Sequence, residues 1–120
     1  MNAANDRATL DAGVALGSAA SLFRALGDPA RLAILHHLTL GEHRVLELTA
    51  HLGLAQSTVS GHLACLRACG LVESRPQGRA SVFSLAAEPQ LRDVLAAAER
   101  LLVATGQQVL QCRQYDGQRR

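Results

Sequence analysis

The chain has 120 residues, of which 48% are apolar and only 2% aromatic, and its formal charge is +2. This length favours one domain with a single core, and a core of aliphatic side chains favours helices. The weak positive charge does not by itself indicate nucleic-acid binding, and no stretch approaches the roughly 20 apolar residues of a membrane span. We therefore expect a cytoplasmic protein, in which cysteines are more often ligands or redox groups than disulfides.

Apolar spacing predicts two helices in the first third of the chain. The first covers Leu10 to Leu26, where apolar residues recur at helical intervals. The second begins at Asp28-Pro29, because Asp is a good helix cap and Pro suits the first helical position. We expect this second helix to stop at Gly41.

Two shorter helices follow, joined by a tight turn. Apolar residues spaced along Val45 to Leu52 predict the third helix, and Gly53 supplies a left-handed exit. The pattern resumes almost at once in a fourth helix. Two short helices connected in this way are typical of a helix-turn-helix. The inward-facing residues of the fourth helix are Val59, Leu63 and Leu66.

The sequence after the fourth helix predicts a β-hairpin and a last helix. Short segments at Leu71 to Ser74 and Ala80 to Leu85 contain Val and Phe, and Arg75 to Arg79 between them reads as a turn because of its Pro and Gly. A hairpin in this place would be a wing. Glu88-Pro89 then opens a helix that fades near Gly106.

These elements predict a mainly α fold with a small β-hairpin, in the order ααααββα of a winged helix-turn-helix. We expect residues 10–105 to form this domain, including any dimerisation helices. Residues 1–9 would be a flexible N-terminal segment, and residues 106–120 a C-terminal tail that carries a possible metal ligand.

Small polar side chains occupy the leading end of the fourth helix, away from its apolar stripe. Gln can pair bidentately with adenine, Ser and Thr donate to bases or phosphates, and helix-turn-helix proteins use this end of the second helix in the major groove. Arginines flank the hairpin turn, where they could reach phosphate or the minor groove. Alternatively, the polar residues only cap and solvate the helix. The residues predicted to contact DNA are Gln56, Ser57, Thr58, Ser60 and His62 on the helix, and Arg75 and Arg79 on the hairpin.

Four stretches carry a resemblance to a known family: residues 26–35 (LGDPARLAIL), 48–54 (LTAHLGL), 56–63 (QSTVSGHL) and 66–72 (LRACGLV). Together they resemble the ArsR/SmtB family of bacterial metal-sensing winged-helix repressors, over about Leu22 to Leu102. The resemblance implies a homodimer, formed through the first and last helices, that binds operator DNA and releases it when metal binds. Many members have a Ser cap where this chain has Ala55, so we expect helix entry to shift to Ser57.

Members of this family hold metal on different helices, and the resemblance favours one of these sites here. The predicted third helix has no Cys and the last helix has no His, which argues against the arsenic-type and zinc-type sites. Cys65, Cys69 and Cys112 resemble the CmtR subgroup of cadmium and lead sensors, which places two cysteines on the recognition helix and a third, from the partner subunit, in the C-terminal region. Independently, residues four apart share a helix face about 6 Å from each other, and soft thiolates select soft metals. The predicted effector is Cd(II) or Pb(II), with Zn(II) as a further candidate.

Other interpretations stay open. The two helical cysteines could be small buried hydrophobic residues, or the thiols could sense oxidants through a disulfide that involves Cys112. The chain could also be a dimeric interaction module that does not bind DNA. An enzyme is disfavoured, because no acid is placed to orient His62 and no phosphate-binding motif is present. The other four histidines lack a pairing pattern with any acid and are interpreted as surface or core residues.

Overall fold

The computed structural model describes residues 12–110. The predicted order of four helices, a hairpin and a helix is confirmed, and a two-residue strand precedes the third helix. Residues 10–11, the predicted N-terminal segment and Cys112 lie outside the described residues. The elements are α1 (Ala12–Leu26), α2 (Pro29–Leu38), β1 (His43–Arg44), α3 (Val45–Leu52), α4 (Gln56–Ala68), β2 (Val72–Gln77), β3 (Ala80–Leu85) and α5 (Glu88–Ala104).

Asp28 caps α2 as the sequence predicts. Its backbone is extended, and its Oδ1 accepts hydrogen bonds from the N–H groups of Ala30 at 2.8 Å and Arg31 at 3.1 Å. These bonds satisfy two donors that the first helical turn leaves without a helical partner. The helix ends at Leu38, and a turn covers the remaining distance to the predicted stop at Gly41.

Helices α3 and α4 form the predicted helix-turn-helix around a fully buried contact. Gly53 ends α3 with φ +66° and ψ 26°, a left-handed conformation that glycine adopts without strain from a side chain. The three α4 side chains predicted to face inward are at most 1% exposed and pack with Leu48 of α3, which confirms the apolar stripe of α4. These α4 residues are Val59, Leu63 and Leu66.

The wing turn is tighter than the sequence predicts. Strands β2 and β3 pair in antiparallel register from Val72 opposite Leu85 to Gln77 opposite Ala80, so the connection is only Gly78-Arg79 and the predicted five-residue turn is wrong. Pro76 lies inside β2 because β2 is an edge strand, where a residue without an N–H is tolerated. Gly78, with φ +62°, permits the two-residue turn.

Strand β1 lies on the other side of β3, which gives a sheet with the order β1-β3-β2. His43 pairs with Phe83, and Arg44 pairs with Val82. Two residues are too few to show a strand pattern in the sequence. The strand forms only because β3 lies beside these two residues in the fold. The pairing holds the segment that leads into α3 against the sheet.

The described residues divide into two compact units, 12–86 and 87–110. The second unit contains α5, which begins at Glu88-Pro89 as predicted and carries an ion pair from Arg92 to Glu88 (Nη2 to Oε1 2.7 Å). Its later apolar side chains are exposed: Leu101 is 65% and Val103 80% accessible. No helix described between Ala12 and Leu110 combines the length and hydropathy that a bilayer crossing needs.

Candidate nucleic-acid interface and thiol pair

The recognition helix α4 begins one residue earlier than predicted. Ala55 takes an extended cap conformation (φ −63°, ψ 145°), and its carbonyl accepts the Val59 N–H at 3.1 Å, so helix entry stays at Gln56 without a side-chain cap. The expected shift to Ser57 is therefore wrong, because the backbone alone supplies the entry geometry. The four small or polar side chains that share the exposed leading end are Gln56, Ser57, Thr58 and Ser60.

His62 lies apart from this exposed group. Its side chain is 20% accessible, and its Nε2 is 4.0 Å from Oδ1 of Asp28, the residue that caps α2. The Arg31 N–H bond is the main reason that the pKa of Asp28 is lowered, and His62 contributes in the same direction. The His62 ring therefore lies near the cap of α2. Its predicted contact with DNA stays a prediction.

The two wing arginines have different surroundings. Arg75 forms an ion pair with Glu42 through Nη2, and its Nε also donates to Glu42 Oε2 at 3.3 Å. Arg79 lies in the exposed turn, and its side chain forms no hydrogen bond or ion pair with any residue between 12 and 110. Of the two, Arg79 has the guanidinium whose N–H donors are all available to an external ligand.

An open groove of about 360 Å³ runs beside the start of α4. Its walls come from the entry to α3, from Gln56 and from strand β3. Arg44 lies on this wall, and its Nε and Nη2 donate to Oε1 of Gln77 at 3.2 and 2.9 Å. Arg44 carries no signal in the sequence, because nothing in the linear pattern brings the entry to α3 close to the end of β2.

The thiol pair lies at the other end of α4. Cys65 is half-buried, Cys69 is exposed, and both thiols are free. The Cys69 N–H donates to the Cys65 carbonyl at 3.0 Å, so the two residues are one helical turn apart, although Cys69 is already the cap that follows the helix. Cys69 also lines an open groove of about 610 Å³ whose other residues belong to α1.

The described residues do not by themselves complete a metal centre. Within residues 12–110, no three His, Cys, Asp or Glu side chains are arranged to hold a metal ion. The predicted third thiol, Cys112, lies outside that range. Cys65 and Cys69 thus provide two soft donors one turn apart, which fits a soft metal that takes its remaining ligands from elsewhere.

Three histidines that the sequence leaves unconnected come together in the structure. The rings of His37 and His51 stack with centroids 5.0 Å apart, and His43 lies 5.7 Å from His51 and 6.3 Å from His37. Nδ1 of His43 is 2.8 Å from the Gly41 carbonyl. Desolvation, followed by the neighbouring His51 and His43, lowers the pKa of His37. The cluster joins the ends of α2 and α3 to β1.

A tight helix-turn-helix, an exposed recognition-helix start and an adjoining two-stranded wing define a winged helix-turn-helix DNA-binding protein. Comparison with known proteins agrees with this class. Residues 28–74 match the family model described as "Bacterial regulatory protein, arsR family". The "Probable mercury resistance operon repressor" of Streptomyces lividans is 39% identical over 93 residues, which are 78% of this chain and 73% of that protein. The chain belongs to the ArsR family of transcriptional repressors.

Two further comparisons concern the site and the assembly. The regulator CmtR of Mycobacterium tuberculosis is 51% identical over 67 residues, which are 56% of this chain and 57% of CmtR, less than two thirds of its length. A homodimeric winged helix-turn-helix DNA-binding domain from Mycobacterium bovis is 29% identical and superposes with a TM-score of 0.67, covering 80% of this chain and 87% of that one. Proteins of this family regulate transcription and are not enzymes, in agreement with the sequence analysis.

Proposed function

We propose that this protein is a metal-responsive repressor that binds operator DNA as a homodimer and releases it when Cd(II) or Pb(II) binds Cys65, Cys69 and Cys112. One observation carries the proposal: Cys65 lies on the same helix, α4, as the exposed polar end, and Cys69 is the residue that caps this helix. An ion held by the thiols acts directly on the element that reads DNA. Such a repressor works beside the chromosome, in the cytoplasm.

The proposed DNA surface consists of the start of α4 and the wing turn. Gln56, Ser57, Thr58 and Ser60 supply hydrogen-bonding groups to base edges and phosphates, and Arg79 supplies positive charge at the wing. Arg75 would join them less strongly, because the Glu42 carboxylate already compensates part of its charge. His62 would contribute from the rim of this surface.

A homodimer is supported by apolar side chains that a single chain leaves exposed. In α1, Leu16 is 70% and Phe23 63% accessible, and in α5 Leu101 and Val103 are also exposed. Exposed apolar faces on two helices are typical of an interface. The similar domain from Mycobacterium bovis is a homodimer. Two recognition helices in a dimer must be spaced by about 34 Å, one turn of DNA, to enter successive major grooves.

Metal binding to Cys65 and Cys69 could change the spacing between the two recognition helices of the dimer. Cys69 shares an open groove with α1, one of the two proposed interface helices, so a metal bound to Cys69 would lie beside that helix. Three thiolates and one divalent ion also carry a net negative charge, which disfavours nearby phosphate. A coupling of about 1 to 3 kcal/mol, which is typical of allosteric proteins, would weaken DNA binding roughly 5- to 150-fold.

The chemistry of the donor set favours soft metals. Thiolates prefer Cd(II), Pb(II) and Zn(II) over Mg(II). The similarity to CmtR and to a mercury-operon repressor supports an effector of this class. When bound, the ion supplies a fixed link between sulfur atoms, while Cys65 and Cys69 hold it on α4.

The test combines metal titration with gel shifts on a duplex from upstream of the protein's own gene. Reduced protein titrated with Cd(II), Pb(II) and Zn(II) should develop a thiolate charge-transfer band, which Cys65→Ser, Cys69→Ser and Cys112→Ser should each weaken. The same metals should release wild-type protein from DNA, with Mg(II) as the control. Unchanged DNA affinity at saturating metal, or triple-Ser protein that still responds to metal, would refute the proposal.

A thiol-redox repressor of the same fold is the second candidate, because Cys69 is an exposed free thiol. A bond between Cys65 and Cys69 is disfavoured, since both belong to an intact helical turn whose geometry seldom suits a disulfide. A bond to Cys112 would be needed. Release of DNA by peroxide, without any metal-induced thiolate band, would favour this candidate.

A further inference from the structure

We propose that Arg44 binds a DNA phosphate and that Gln77 positions its guanidinium for this contact. The DNA surface would then extend from α4 across the adjoining groove to the entry of α3. This inference rests on the proposed DNA surface and adds to it a residue that the sequence analysis did not select.

The first support is location. Arg44 and Gln56, the first residue of the recognition helix, line the same open groove together with Ser81 of the wing. Arg44 is exposed, yet its backbone is held twice: its N–H donates to Glu47 Oε1 at 3.0 Å, and the residue pairs with Val82 in the sheet. The Arg44 side chain thus extends from a well-held backbone beside α4, the proposed recognition helix.

The second support is the hydrogen bonding of the guanidinium. Its Nε and Nη2 both donate to one neutral amide oxygen, Oε1 of Gln77, at the end of β2. An arginine has five N–H donors in a planar fork, so the remaining donors stay available for an oxyanion. Gln77 restricts the rotamers of Arg44, which lowers the entropy that a phosphate contact costs.

The third support is the contrast with Arg75, the wing arginine that the sequence analysis did select. The Arg75 guanidinium is neutralised by the Glu42 carboxylate. The Glu47 carboxylate accepts from the backbone N–H of Arg44, and no ion pair between the Arg44 side chain and a carboxylate occurs within residues 12–110. The positive charge of Arg44 is therefore not compensated by a carboxylate on its side chain, whereas that of Arg75 is partly compensated by Glu42.

A phosphate contact makes a measurable prediction about salt. Each phosphate neutralised on duplex DNA contributes about 0.9 to the slope of log affinity against log salt. A fourfold rise in salt thus costs roughly 3.5-fold in affinity per contact. In a homodimer that uses Arg44 twice, Arg44→Ala should flatten the slope by about 1.8.

The experiment uses fluorescence anisotropy of the full-length reduced protein on the upstream duplex, across a salt series. Arg44→Ala should bind more weakly at low salt and show the flatter slope, while Arg44→Lys keeps most of the slope because it keeps the charge. Gln77→Ala should weaken binding but leave the slope near wild type. Arg92→Ala, which removes an ion-paired arginine from α5, is the matched control and should change neither. Thermal melting of each variant checks folding.

The outcomes separate the two hypotheses. Wild-type protein that shows no salt-dependent duplex binding refutes the proposed function, and this inference with it. If wild type binds and Arg44→Ala keeps the wild-type slope, this inference alone is wrong. Equal weakening by Arg44→Ala and Gln77→Ala with unchanged slopes would mean that Arg44 only supports the wing, which also overturns it.

Discussion

Truncation of Leu48 should measure how strongly α3 is held against α4. Leu48 is fully buried, whereas Leu46, two residues earlier on the same helix, is 67% exposed. Leu48→Ala removes three buried carbon groups, a loss of about 2.4 kcal/mol in transfer free energy, and the cavity left behind raises the total to about 3 to 5 kcal/mol. Leu46→Ala makes the same chemical change at the surface and should cost less than about 1 kcal/mol.

Urea unfolding followed by far-ultraviolet circular dichroism would compare the two variants with wild type. Protein concentration must be the same in every sample, because the proposed dimerisation would make the apparent free energy of unfolding depend on concentration. The midpoint should fall sharply for Leu48→Ala with an unchanged slope, and barely for Leu46→Ala. Equal losses in the two variants would refute the packing of the helix-turn-helix described above.

Three further predictions follow from other parts of the chain. Ala55→Ser should raise the free energy of unfolding by about 1 kcal/mol in the same urea assay, because it supplies the missing side-chain cap of α4; no gain would contradict the cap geometry. Because the pKa of His37 is lowered in the folded chain, protons bind the unfolded chain more readily. Stability should therefore decline as pH falls through the ordinary His pKa of 6.5, and His37→Gln should reduce this decline in thermal melts; identical pH profiles would contradict it. Phe23→Glu should shift a dimer toward monomer in sedimentation velocity, with little loss of folding, because the ring is exposed in the single chain; an unchanged assembly would exclude this face from the interface.

Local signals predicted most of the helical scaffold. Asp28 before Pro29 marked the start of α2, and Gly53 marked the left-handed exit from α3, because capping and backbone handedness depend on a few adjacent residues. The apolar stripe of α4 was also visible, since helical period alone assigns residues to a face.

Errors arose where tertiary pairing overrode local preference. Pro76 indicated a turn, but it occupies an edge strand where its missing N–H is not needed. Ala55 lacks a capping side chain, but its backbone still starts the helix. In both cases the surrounding fold compensates for a residue that is locally unfavourable.

The sequence by itself determined the order of the helices and the hairpin, the apolar stripe of α4 and the polar residues that lie off this stripe at its start, because these follow from periodicities and caps within one short stretch. Tertiary structure alone decided that Arg44 meets Gln77, 33 residues away, that Glu42 takes up the charge of Arg75, and that His62 turns toward Asp28. Such partners are brought together by sheet register and helix packing. Sheet register and helix packing decide which distant side chains come within hydrogen-bonding distance, and a linear sequence pattern does not contain this information.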